Sequence, residues 1–262
     1  MTEDELILTH ILQCSRSELY LRNLKLTDQQ KRQFESYKAR RKQGEPLQYI
    51  LGVWDFMGIE LKVDPRALIP RPETEILVEE AIRRIKHLKN PKILELGTGL
   101  GNIAIALAKF VAGSFITTVD ISSEALELAK ENALRHDVMQ RIDFVRMDMA
   151  EYLTTGGTAI YYDLIISNPP YIPLAQMKDL PLDVQQEPRL ALEAGRDGLK
   201  FYIDIIKYTP PLLRKGCYLM MEFSDGQGLA VKDLVLKQQV FSNIQILQDL
   251  AGKDRIICAQ IF

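Results

Sequence analysis

From residue 92 onward the sequence alternates short, continuously apolar runs with longer stretches of helical periodicity, and few folds satisfy that pattern. Apolar runs at 92–96, 115–119, 142–145, 163–166 and 218–223 read as strands. Because successive residues in them are apolar, both faces of each strand need cover. Helical spacing is predicted between them, at 102–110, 123–135, 197–213 and 228–239. Two closing strands, about 244–248 and 255–261, are joined by a short turn and predict an antiparallel edge pair. The expected fold class is therefore α/β, with a seven-stranded, mostly parallel sheet covered on both faces.

In such open sheets ligands bind beyond the carboxyl ends of the strands. The first of these strands runs into Gly97-Thr98-Gly99-Leu100-Gly101 and then a helix. Glycines permit a tight turn and close backbone approach, and the helix start offers free N–H groups to an anion such as a carboxylate. The next strand ends in Asp120, placed to bind a ribose diol. The spacing is not the Gly-x-Gly-x-x-Gly of dinucleotide folds, and Asn102 stands where a phosphate loop needs Gly-Lys-Ser/Thr. Glu95, just before the loop, would repel a pyrophosphate but suits an ammonium or sulfonium charge. Asp148 is placed to accept from an adenine amine, with Met149 against the ring. S-adenosylmethionine meets all of these demands, and NAD fewer.

A second loop leaves the strand at 163–166 as Ser167-Asn168-Pro169-Pro170-Tyr171. Two prolines fix φ at consecutive positions and cannot donate to a ladder, so the strand stops and the loop is held. An amide oxygen, backbone acceptors and an aromatic face then lie within four residues. That set suits a planar primary amine or amide, whose N–H groups need acceptors and whose π-face can stack.

The rest of the chain frames these loops. Residues 1 to about 46 read as a separate helical bundle, with capping boxes at Ser15…Glu18 and Thr27…Gln30 and loosely spaced Leu19, Leu21 and Leu24. The stretch 31–42 carries six basic residues against Glu35, the pattern of a solvated helix face. Residues 47–66 alternate apolar and other residues around Gly52 and Gly58 and predict a β-hairpin linker, leaving 67–262 as the catalytic domain. A proline-stiffened loop, Ile69-Pro70-Arg71-Pro72, opens a helix from Glu73 to about Leu88. A net charge of −2 argues against a broad nucleic-acid surface. Three cysteines without metal or disulfide spacing fit a reducing cytoplasm and predict no metal site. The acidic start, residues 1–5, lacks a secretory n-region, no run reaches membrane-spanning length, and nothing argues for more than a monomer.

The Glu95–Gly101 loop with Asp120 resembles the cofactor loop of class I (Rossmann-like) S-adenosylmethionine-dependent methyltransferases. Asn168-Pro169-Pro170-Tyr171 is similar to the motif of those members that methylate exocyclic or amide nitrogens. Further matches lie at Ile69–Glu75, at Gly44–Ile50 with Gly52, at Glu187-Pro188 through Asp197-Gly198-Leu199, and at Asp249-Leu250 with Gly252 and Arg255. Together with the N-terminal helices they resemble the PrmC/HemK family, the peptide chain release factor glutamine N5-methyltransferases. The resemblance implies S-adenosylmethionine as cofactor and class 1 release factors as partners, methylated on the glutamine of their Gly-Gly-Gln loop. It implies catalytic roles for Asn168, Pro169 and Tyr171, with Pro170, Arg71 and Glu73 also meeting substrate. Cofactor contacts would come from Glu95, Gly97, Thr98, Gly99, Leu100, Gly101, Asp120, Asp148, Met149 and Asn168. The nearest rival is methylation of an adenine amino group on nucleic acid, against which the acidity stands. A non-catalytic cofactor-binding module is a second, for which the Asn168 loop would be superfluous.

Overall fold

The computed structural model describes residues 2–21, 25–156 and 161–262; Leu24 of the predicted bundle and Met1 lie outside them. Helices α1 (Glu3–Leu12), α2 (Arg16–Leu21) and α3 (Asp28–Lys42) come first. Thr2 with Glu5 and Thr27 with Gln30 form capping boxes, each satisfying donors the first helical turn leaves free. Ser15 and Glu18 exchange the same reciprocal bonds at α2. Among the described residues, four of the six basic residues at 31–42 are ion-paired: Lys31 with Asp28, Lys38 with Asp4, Arg40 with Glu45, and Arg41 with both Glu3 and Asp183.

The hairpin predicted over 47–66 is shorter than expected. Leu47–Leu51 forms a helix, α4, opened by Pro46 and closed by Gly52 in the left-handed conformation. Strands β1 (Val53–Phe56) and β2 (Ile59–Lys62) then pair antiparallel. The Met57 N–H donates to Glu75 at 2.9 Å, tying their turn to helix α5 (Pro72–Ile85).

The main sheet uses β3 (Lys92–Leu96), β4 (Phe115–Asp120), β5 (Ile142–Arg146), β6 (Tyr162–Ser167), β7 (Leu213–Glu222), β8 (Phe241–Gln248) and β9 (Asp254–Ile261). Its order is β5-β4-β3-β6-β7-β9-β8. The first five strands run parallel, whereas β9 is antiparallel to both neighbours. The seven-stranded, mostly parallel α/β sheet is thus as expected. Helices α6 (Asn102–Phe110) and α7 (Ser123–Arg135) cover one face with α5, and α9 (Lys200–Tyr208) and α10 (Gly228–Lys237) cover the other. A single turn, α8 (Met149–Glu151), follows β5.

Alternate strand residues feed two cores. Ile93, Leu164 and Ile166 pack toward α5 and α6, while Leu94, Ile165 and Leu219 pack toward α9 and α10. Burying each such side chain stabilises the fold by roughly 1.5–3 kcal/mol over leaving it exposed. The helix predicted over 197–213 is confined to α9, because Pro210 and Pro211 lack the N–H needed to extend it. The chain enters β7 at Leu213, five residues before the predicted start at 218.

Strand order reverses between β3 and β6. β3 leads through α6 to β4 on one side, and β6 lies on the other. Their last residues, Leu96 and Ser167, are register partners, so the glycine loop and Asn168 emerge side by side at the switch point.

Candidate active site

A cavity of about 430 Å³ opens at this switch point. On its floor lie Gly97, Thr98 and Gly99 from the loop after β3 and Asp120 from the end of β4. Asp148, Met149, Asn168 and Pro170 extend the wall, and Arg71 and Leu68 close it from the loop before α5. Residues 188–191 complete the roof.

The loop glycines do different jobs. All three have positive φ, which favours glycine. A Cβ on Gly99 would meet nothing within 4 Å, so this backbone faces open space. A Cβ on Gly101 would sit 3.1 Å from the Ala129 Cβ on α7. Gly101 therefore lets two helices approach and is not on the wall. Leu100 is likewise in the core, its carbonyl accepting from Asn132.

Asp120 Oδ2 accepts from the Gly99 N–H at 2.9 Å, and its Oδ1 accepts from the Ser122 N–H at 2.9 Å. Burial pushes its carboxyl above the usual range despite these donors. Asp148 Oδ1 caps α8 by accepting from Ala150. Glu95 is fully buried beneath the loop rather than on the cavity wall. Its Oε2 accepts from the Thr118 hydroxyl, and Oε1 finds no hydrogen-bond partner among the described residues. Burial pushes this carboxyl up to about 8. Glu95 is absent from the lining, so the charge expected from sequence is not presented to the cavity.

The second loop is braced from several directions. Asn168 Nδ2 donates to Thr74 Oγ1 at 3.0 Å, and Thr74 Oγ1 donates to Glu222 Oε2 at 2.7 Å. Thr74 lies in the first turn of α5, whose start is set by Pro72 at the first helical position. Glu187 carries its own brace: Oε2 accepts from the Ile69 N–H at 2.9 Å, and Oε1 accepts from Arg71 Nη2. Arg71 is therefore on the wall but held by Glu187, whose side chain is 1% exposed.

Tyr171 does not reach the wall. Its side chain packs against the second core, burial pushing its phenol up to about 12, while Gln227 Nε2 donates to its carbonyl. Pro169 is buried, and neither it nor Glu73 is among the cavity's lining residues. Thr74, Glu187 and Glu222 had no role from sequence. The signals available were the motifs Ile69–Glu75 and Glu187-Pro188, which contain Thr74 and Glu187, and Glu222 itself, an acid in an otherwise apolar run at 218–223.

The model of the PrmC N-terminal domain matches residues 2–52, and that of the methyltransferase small domain matches 73–186. A release factor glutamine methyltransferase of Chlorobaculum tepidum is 40% identical over 96% of this chain and 87% of its own length. Its counterpart from Moorella thermoacetica is 40% identical over 84% and 76%. The chain belongs to the release factor glutamine methyltransferase family. A methyltransferase structure from Pyrococcus furiosus, 17% identical with a TM-score of 0.57, covers 90% of this chain and 98% of its own, and shows the shared fold. The matched methyltransferase segment supplies Gly97–Gly99, Asp120, Asp148 and Asn168 to the cavity, while the lining residues 65–71 and 188–191 lie outside it.

Proposed function

We propose that this chain methylates the side-chain amide nitrogen (N5) of the glutamine in the Gly-Gly-Gln motif of class 1 peptide chain release factors, with S-adenosylmethionine as donor. The observation that carries the chemistry is the Asn168 carboxamide. Its nitrogen is committed to Thr74, so its oxygen is the atom left to accept from a substrate N–H.

The cavity fits the donor. The glycine floor admits close backbone approach, with open space where a Gly99 Cβ would stand. Gly97, Thr98 and Gly99 would line the amino-acid part, Asp120 would hold ribose hydroxyls, and Asp148 with Met149 would meet adenine. Bound S-adenosylmethionine supplies an electrophilic methyl group on a sulfonium sulfur.

An amide nitrogen is a poor nucleophile because its lone pair is delocalised into the carbonyl. The Asn168 side-chain oxygen and the Pro169 carbonyl would each accept one N–H of the glutamine amide. Two fixed acceptors orient the nitrogen lone pair toward the donor, and positioning supplies much of the acceleration. No strong base is needed before transfer, since the proton can leave afterwards.

The N-terminal unit (1–46) and linker (47–66) present the protein substrate to the catalytic unit (67–262); Arg41 of α3 already pairs with Asp183 in the segment leading to the roof. We infer that the reaction takes place in the cytoplasm, with the enzyme acting as a monomer. No helix among the described residues is long and apolar enough to cross a membrane.

The test is transfer of labelled methyl to purified release factor, its Gln→Ala loop variant, total RNA and total DNA. Label on wild-type release factor alone is expected. Label on nucleic acid instead would overturn the reading in favour of the adenine amino group.

A further inference from the structure

We propose that Thr74 and Glu222 are positioning residues that set the polarity of the Asn168 carboxamide, a role that rests on amide methylation as the reaction. A hydroxyl has one proton and can face a neighbour either as donor or as acceptor. Here the Thr74 proton is directed to Glu222 Oε2 at 2.7 Å, so Asn168 meets only an acceptor. The carboxamide must then turn its nitrogen to Thr74, as the 3.0 Å contact shows, and its oxygen to the slot.

The alternative explains why the lock matters. With its proton undirected, the Thr74 hydroxyl could donate to the Asn168 oxygen, and the amide could flip. Its nitrogen would then face the glutamine N–H groups, donor against donor, and the slot would reject its substrate's reactive geometry. Asparagine alone cannot choose, because its two ends have nearly the same shape. The choice is made three residues into α5 and at the end of β7, far from Asn168 in sequence and joined to it only by the fold.

Glu222 is 2% exposed, so it is held by its surroundings rather than by solvent. The charged and titratable groups around it come from every neighbouring element. Glu73 on α5 opposes its ionisation, and Arg71 before α5 and Arg255 on β9 favour it. Tyr171 after β6 lies within its field, and the Tyr202 hydroxyl on α9 donates to its backbone carbonyl at 2.9 Å. Burial outweighs the arginines and pushes the carboxyl up to about 7. Protonation would let Glu222 donate to Thr74 and release the Thr74 proton, unlocking the carboxamide. The sign is therefore fixed: kcat should fall as pH drops through about 7.

The experiment compares T74V, T74S and E222Q with the wild-type enzyme on release factor, measuring kcat, KM, cofactor affinity and the pH profile of kcat. T74V should lower kcat at least ~10-fold, the scale of losing an orienting hydrogen bond at a reacting group. Cofactor affinity should stay within about twofold, because Thr74 acts through Asn168. T74S, which keeps the hydroxyl, should recover most of the lost kcat. E222Q should lower kcat and abolish the pH limb near 7, a change that loss of packing alone would not produce. Wild-type kcat in T74V would overturn the proposal, as would a T74S variant no better than T74V or an E222Q variant that keeps the limb. A wild-type enzyme that leaves release factor unlabelled would instead defeat the amide-methylation reading itself.

Discussion

At one end of the cavity the wall is backbone from consecutive residues, Gly97 through Gly99, steadied by Asp120 across one strand spacing. At the other end the working side chains, Arg71, Thr74 and Asn168, are held by Glu187 and Glu222, which come from distant stretches of the chain. The first kind of wall is made once the strand and helix beside it form. The second exists only when distant segments have docked. A shared cofactor can be met by local backbone, whereas the orientation of one amide needs long-range hydrogen bonds to fix which atom faces in.

This contrast predicts that the two ends fail differently. The largest effect is expected at Asn168: N168A should lower kcat at least ~100-fold, about 2.7 kcal/mol of barrier, with S-adenosylmethionine binding retained. Near-normal turnover in that variant would break the distinction, since the slot would then not depend on its carboxamide. The next effect belongs to the loop. G101A places a Cβ about 3.1 Å from Ala129 at a φ of +89°, and should cost roughly 1–3 kcal/mol of stability in urea melts. Stability and cofactor affinity should fall together there. A G101A protein as stable as wild type would show that α6 and α7 are free to part.

The smallest effect concerns Glu95. Its carboxyl lies above the usual range in the fold, near 8, against about 4.5 in an exposed chain. Between those values the folded protein holds a proton the unfolded chain has released, so stability falls as pH rises from about 4.5 to about 8 and then levels. Glu95→Gln should flatten that decline, raising the melting temperature more at pH 9 than at pH 5. An equal shift at both pH values would mean that Glu95 ionises without penalty and lies closer to water than its burial indicates.

The sheet and the glycine loop were legible because each is encoded by neighbours: apolar runs, Gly97-x-Gly99-x-Gly101 and an acid one strand later. Asn168 was legible because two prolines punctuate the strand that carries it. The partners of Asn168 were not, since nothing local links Thr74 to Glu222 across a separation of 148 residues. Glu95 was misplaced for a related reason: sequence puts it beside the loop but cannot say on which side of the strand it is buried. The hairpin at 47–66 was overextended because the apolar run Tyr49-Ile50-Leu51 also suits a strand, whereas Pro46 and Gly52 close a helical turn around it.

The place of β9 between β7 and β8 has a consequence for how the molecule is made. A chain emerging from the ribosome presents β7 and β8 first, yet the two never pair with each other. β7 can pair with β6 beforehand, but β8 must wait for residues 254–261, and Glu222 finds its ladder partner, Ile256, only when that strand arrives. The glycine loop can therefore take shape while synthesis continues, but the carboxylate that fixes Asn168 is set late. A nascent chain would thus complete its glycine-loop wall before the ladder that carries Glu222.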